Sequence, residues 1–143
     1  MKILVTGGLG FIGSHTVVEL QAKGYDVIII DDCSNASQEV LAGITAITGI
    51  EPALEIFDLR EKKLVEDFFN KHTDIGGVIH FAASKAVGES VKNPLLYYEN
   101  NIGTLTYILQ QLKKFELPTF IFSSSCTVYG QADELPITES APV

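Results

Sequence analysis

The chain has 143 residues, 46% of them apolar and 20% charged, and carries a formal net charge of −8. A length in the range of ~100–150 residues suits one domain around one core, and no apolar run reaches the ~18–20 residues that cross a bilayer. Ten Lys and Arg scattered against eighteen Asp and Glu make no basic stripe to follow a phosphate backbone, so neither a membrane span nor a nucleic-acid partner is expected.

The opening residues, Met1 to Gly7, run at once into glycine and polar residues, with no apolar stretch of signal-peptide length. Ile3 to Val5 reads as a first strand. Phe11 to Lys23 follows as a helix, with Ile12, Thr16, Val17 and Leu20 on one side and Gly24 closing it. Val27 to Ile30 is the second strand and Ala53 to Phe57 the third. Asp58-Leu59-Arg60-Glu61 has the form of a capping box for a helix to about His72. Gly76-Gly77 is expected to turn the chain into a fourth strand, Val78 to Phe81. Asn93-Pro94 offers an N-cap and a first-turn proline for a long helix to about Phe115. Pro118 precedes the fifth strand, Phe120 to Phe122, and Gly130 to Val143 reads as loop. The strand runs are continuous rather than alternating, as in parallel strands covered on both faces. The expected class is α/β: five strands in a doubly wound parallel sheet, order 3-2-1-4-5, over residues 1–130, with residues 131–143 a loop beyond it.

The chemistry concentrates at strand ends. Gly7, Gly10 and Gly13 lie between the first strand and the first helix. There Gly7 can take a tight bend, Gly10 lets the backbone approach a pyrophosphate, and Gly13 lets helix and strand pack closely beneath the helix N-terminus. Asp31 ends the second strand, where a carboxylate accepts from adenosine ribose hydroxyls; the alternative is that Asp31 and Asp32 simply solvate a strand end. Asp31 and Asp32 together repel a 2′-phosphate and no arginine neighbours them in sequence, so the expected cofactor is NAD rather than NADP. Asp58 is either a helix cap or an acceptor for the adenine edge. Ala82 and Ala83 leave room at the fourth strand's end, and Lys85 is either a ribose or phosphate contact or a solvated loop lysine. His80 lies within an apolar strand and reads as a core histidine. Ser125 follows the fifth strand and can hydrogen-bond a carbinol oxygen; the alternative is a serine that fills a turn. Cys33 and Cys126 lack metal or redox spacing, so no metal is expected and both thiols should be reduced in a cytoplasmic protein.

The run Val5 to His15 resembles the opening of the extended short-chain dehydrogenases that act on nucleotide sugars. Lys85-Ala86-Val87-Gly88-Glu89-Ser90 and Phe122 to Gly130 are similar to the UDP-glucose 4-epimerases of that family, and the similarity extends over essentially the whole chain. The resemblance implies a Rossmann-type domain whose NAD takes hydride from C4 of UDP-glucose or UDP-galactose and returns it to the other face of a 4-keto sugar. It implies an isomerase of galactose metabolism. By the same resemblance Phe11, Ile12, Asp31, Asp32, Cys33, Ser34, Asn35, Asp58, Leu59, Phe81, Ala82, Ala83, Ser84, Lys85 and Asn100 line the cofactor, Asn100 being favoured over Asn101, and Ser125 touches the sugar. Related dehydratases carry Asp-Glu before Val-Tyr-Gly, whereas Cys126-Thr127 stand here, which removes the groups for elimination. A related nucleotide-sugar epimerase or decarboxylase, or a non-enzymatic NAD sensor, is the alternative. The family's catalytic Tyr-x-x-x-Lys is missing: none of Tyr25, Tyr97, Tyr98, Tyr107 and Tyr129 has lysine four places on. The expectation is therefore a piece of the enzyme, ending before its substrate domain and unable to epimerise alone. The whole enzyme is expected to be a homodimer that pairs through a helix pair including Asn93 to Phe115.

Overall fold

The computed structural model describes residues 1–130 and 135–142; residues 131–134 and 143, which belong to the expected terminal loop, lie outside the described residues, as does the side chain of Cys126. The strands are β1 (Lys2–Thr6), β2 (Asp26–Asp31), β3 (Ala53–Ile56), β4 (Ile75–His80) and β5 (Phe120–Phe122). All pair in parallel in the order β3-β2-β1-β4-β5. Both the strand count and the order agree with the expectation from sequence.

The continuous apolar strands are explained by two cores. On one face Leu4, Ile28, Ile30 and Val78 pack with Val65, Phe68 and Phe69 of α3 (Lys62–Lys71) and with Ile108 and Leu112 of α6 (Thr104–Lys114). On the other face Ile3, Val5, Val27 and Ile29 pack with Val17 of α1 (Phe11–Ala22) and Ile44 of α2 (Glu39–Thr48). Successive strand residues point to opposite faces, and here both faces are dry, so no polar residue is needed in alternation.

Three local expectations are corrected. Gly76-Gly77 lies inside β4 rather than before it: Lys2 pairs with Ile75 and Ile3 with Gly77, so Gly76 is an extra residue in the ladder. Met1 packs so closely there that a Cβ at Gly76 would come within 2.5 Å of its Cγ. The capping box does not form, because Asp58 instead accepts from the N–H of Arg60, two residues on, and Glu61 precedes the helix without a side-chain cap. The long helix is present over Pro94 to Lys114, with a π-helical turn inside it. Pro94 does begin α5 (Pro94–Tyr97), but Asn93 makes no side-chain cap, and a π-helical turn (Tyr98–Gly103) separates α5 from α6. Val87–Lys92, to which the sequence assigns no element, forms the short helix α4. No helix among the described residues is long and apolar enough to cross a membrane.

His80 is buried, as expected of a core histidine, with Nδ1 2.7 Å from Thr6 Oγ1. Burial pushes its pKa down to about 4, so the folded imidazole stays neutral where the unfolded one takes a proton near pH 6.5. The folded pKa is the lower one, so this contribution to stability is complete above about pH 6.5 and is lost as pH falls toward about 4. Urea unfolding of the chain should therefore show a loss of about 2 kcal/mol between pH 7 and pH 5. In His80→Gln most of that pH dependence should vanish; a dependence that survives unchanged would assign it to other groups.

Candidate functional site

The carboxyl ends of all five strands lie along one edge of the sheet. The chain winds outward from β1 through β2 to β3 on one side and from β4 to β5 on the other, so the topological switch point lies between the loops after β1 and β4. Open α/β sheets bind ligands at such a switch point.

The loop after β1 forms one wall. Gly7 sits at φ +67° and donates its N–H to the Ile30 carbonyl at 2.8 Å. A Cβ on Gly7 would lie 2.8 Å from the main-chain nitrogen of Ala82, in the loop after β4, and one on Gly13 would lie 2.2 Å from the Gly7 carbonyl oxygen. Neither position admits a side chain. Gly10 precedes α1 without any side-chain cap, so the N–H groups of Phe11, Ile12 and Gly13 have no acceptor within the helix. Bare N–H groups at the positive end of a helix dipole suit an anion. The side chains of Phe11 and Ile12 are exposed beside them.

Asp31 ends β2 nearly buried. Its Oδ2 accepts from Leu9 N and its Oδ1 from Cys33 N, both at 3.0 Å. The carboxylate thus ties the glycine turn to the loop after β2, and each oxygen retains a lone pair for a further donor. This bracing role was invisible in sequence, where Asp31 reads either as a ribose contact or as a carboxylate that solvates a strand end. Asp32 accepts from both the N–H and the hydroxyl of Ser34, at 2.9 and 2.7 Å. Cys33 is held at φ +57° between them, and burial together with the charges of Asp31 and Asp32 pushes its thiol pKa up. Asn35 is exposed at the same rim.

After β3, Asp58 is gripped by Arg60. Its Oδ1 accepts from Arg60 N, and both oxygens receive the guanidinium, the shortest contact being 2.6 Å from Nη2 to Oδ2. The guanidinium holds the Asp58 carboxyl below the usual carboxylate range. Leu59 is buried in the core, which leaves only its main chain for a ligand. Arg60 escaped the sequence reading because its partner lies two residues away and offers no helical or motif spacing.

After β4, Phe81 and Ala82 are half-buried and Ala83 is exposed. Thr6 Oγ1 stands between His80 Nδ1 and the Ala82 N–H, at 2.7 and 3.4 Å. Ser84 is clamped: Asn101 Oδ1 accepts from its N–H at 2.8 Å while Asn101 Nδ2 donates to its carbonyl at 2.9 Å. Asn100 Nδ2 donates to the Ser84 hydroxyl at 2.8 Å. The π-helical turn brings both asparagines to this loop, and Asn101 is a positioning residue that sequence alone did not separate from Asn100. Lys85 is exposed and makes no ion pair among the described residues. Ser125 stands past β5, also exposed, its Oγ 2.7 Å from Thr127 Oγ1 and accepting from Thr127 N at 3.2 Å. It caps a 3-10 turn (Cys126–Tyr129) and belongs to the β5 end rather than to the glycine, Asp31, Asp58 and Ser84 group.

Residues 3–143 match the NAD dependent epimerase/dehydratase family. The chain is 47% identical over 143 residues to a UDP-glucose 4-epimerase of Bacillus subtilis (strain 168), covering 100% of this chain and 42% of that protein. Its fold superposes with a TM-score of 0.92 on a UDP-glucose 4-epimerase of Bifidobacterium longum in complex with NAD+ and UDP, at 47% identity, covering 99% of this chain and 42% of that one. A UDP-glucose 4-epimerase of Thermotoga maritima with UDP-glucose is 33% identical with a TM-score of 0.85, over 99% of this chain and 44% of the other. The chain therefore spans about two fifths of the length of the relatives it matches.

The glycine geometry generates a graded test. Gly13→Ala places a methyl 2.2 Å from a main-chain oxygen, whereas Gly88→Ala meets nothing within 4 Å. Gly13→Ala should lose about 3 kcal/mol or more of unfolding free energy and Gly88→Ala less than about 0.5, as read by chemical denaturation; equal losses would remove the close approach as the cause.

Proposed function

Because the chain belongs to the NAD dependent epimerase/dehydratase family, we propose that its residues 1–130 are the NAD-binding portion of a UDP-glucose 4-epimerase. The single observation that carries this reading is the glycine turn, where main chain meets main chain and three N–H groups without a helical acceptor begin α1 at the switch point. A pyrophosphate lies against those N–H groups, with the exposed side chains of Phe11 and Ile12 beside it.

Asp31 accepts from the adenosine ribose hydroxyls with the lone pairs that Leu9 and Cys33 leave open. Asp31 and Asp32 together exclude a 2′-phosphate by repulsion, and the nearby cation, Arg60, is engaged by Asp58. Cys33, Ser34 and Asn35 form the rim of that pocket. Asp58 and the Leu59 main chain receive the adenine edge. Phe81, Ala82, Ala83 and Ser84 make the floor under the middle of the dinucleotide, and Lys85 and Asn100 reach its second ribose.

NAD, when bound, supplies the acceptor that takes hydride from the sugar C4 and gives it back. Ser125 hydrogen-bonds the C4 oxygen and orients it. No tyrosine in the chain has a lysine four places on, so the proton of that oxygen lacks its base here, and the chain by itself does not turn over. The substrate class, UDP-glucose and UDP-galactose, is supported by the complexes of the relatives with UDP and with UDP-glucose. In the full-length enzyme the exposed stripe Val91, Leu95, Tyr98 and Ile102 is the face toward a second subunit.

Titration calorimetry tests the reading. NAD should bind with one site per chain, and NADP should bind about tenfold or more weaker because its extra phosphate meets Asp31 and Asp32. UDP-galactose with NAD and this chain should yield no UDP-glucose. Silence toward NAD at millimolar concentration would sink the cofactor assignment, and turnover by the chain alone would sink the claim that its base is missing.

A further inference from the structure

We propose that Arg60 is a specificity-determining residue of the adenosine pocket: it locks the Asp58 carboxylate so that one acceptor direction remains, which admits a 6-aminopurine and rejects a 6-oxopurine. The inference rests on the reading of the switch point as an NAD site and deepens it.

A carboxylate offers about four lone-pair directions. On Asp58, Oδ1 accepts from Arg60 N at 2.9 Å and from Nε at 3.1 Å, and Oδ2 accepts from Nε at 2.9 Å and from Nη2 at 2.6 Å. Nε is shared between the two oxygens. Three hydrogens, those on Arg60 N, Nε and Nη2, therefore occupy three of the four directions, which leaves one acceptor direction on the carboxylate for a ligand. The fork also fixes the plane of the carboxylate, since a planar guanidinium binds both oxygens only when the two groups lie nearly in one plane.

Arg60 is itself held from other directions. The carboxylates of Glu99, on the π-helical turn, and of Asp32, after β2, add to the field that keeps it charged. Both members of the pair remain partly open, with side-chain exposures of 37% for Arg60 and 29% for Asp58, so a ligand reaches them without unfolding the turn. An exocyclic amino group at purine position 6 donates to the one open direction of the carboxylate. A carbonyl there would set oxygen against an ionised oxygen, and the fork prevents the carboxylate from turning away. A site built to accept one donor rejects the analogue that lacks it.

The test compares NAD with nicotinamide hypoxanthine dinucleotide, which carries the 6-oxo group, by calorimetry on the chain, Arg60→Gln and Arg60→Lys. The unaltered chain should prefer NAD by about tenfold or more. Arg60→Gln should lose most of that preference by weakening NAD alone, and Arg60→Lys should resemble it, because an ammonium keeps the charge but not the fork. Equal weakening of both ligands in Arg60→Gln would overturn the proposal in favour of a structural role. Full preference in Arg60→Lys would overturn it in favour of charge alone. Failure of the unaltered chain to bind NAD would instead overturn the underlying cofactor reading, a result that the preference ratios do not mimic.

Discussion

The structure depends on main chain touching main chain where β1 passes into α1. A Cβ at Gly13 would lie 2.2 Å from the Gly7 oxygen and one at Gly7 would lie 2.8 Å from the Ala82 nitrogen, so three separate segments meet at backbone distance. That contact sets the position of the first turn of α1 relative to the ends of β1 and β4. The helix start, with its unpaired N–H groups, is thereby placed at the switch point between β1 and β4. Asp31 secures the same turn from the β2 side through Leu9. A glycine run of this kind is a packing constraint first, and its suitability for an anion follows from the packing.

What could be read in advance follows from the range of the interactions involved. The parallel sheet and its two-sided core were legible because continuous Val, Ile and Leu runs, such as Val27 to Ile30, report burial directly, while the strand order came with the Rossmann-type fold. The glycine turn was legible because steric exclusion leaves one residue type. Local polar choices were not. Asp58-Leu59-Arg60-Glu61 carries a capping pattern, yet the Arg60 guanidinium offers Asp58 a stronger, charge-assisted partner than a helical N–H, and the helix starts later without it. Gly76 looked like a turn residue because nothing in sequence reveals that Met1 would close over it. The π-helical turn at Tyr98–Gly103 has no periodic signature; it is set by contacts that Asn100 and Asn101 make to a loop far away in the chain.

The site divides like residues into those that hold loops and those that stay open at the switch point. Asp31 is nearly buried and braces two main-chain N–H groups, while Asp58, more open, is held by a side chain. Thr6 and His80 are buried together beneath Ala82 and keep the β4 loop against Gly7. The buried Thr6 hydroxyl and His80 ring thus satisfy each other inside the sheet, whereas Asp31 and Asp58 keep acceptor directions beyond the contacts that hold them.

The two asparagines show how far such a network determines chemistry. Ser84 has a fixed main-chain polarity, so the amide that takes its N–H and meets its carbonyl has only one orientation: Asn101 presents Oδ1 to the nitrogen and Nδ2 to the oxygen. The Oδ1 of Asn101 then stands 3.4 Å from the amide nitrogen of Asn100, and the reverse orientation of Asn100 would set two oxygens against each other. Its nitrogen also donates to the Ser84 hydroxyl. Asn100 must therefore present its own Oδ1 outward, as an acceptor. A polarity that begins in the backbone of one loop residue is passed through two side chains, and the group it leaves on Asn100 is an acceptor.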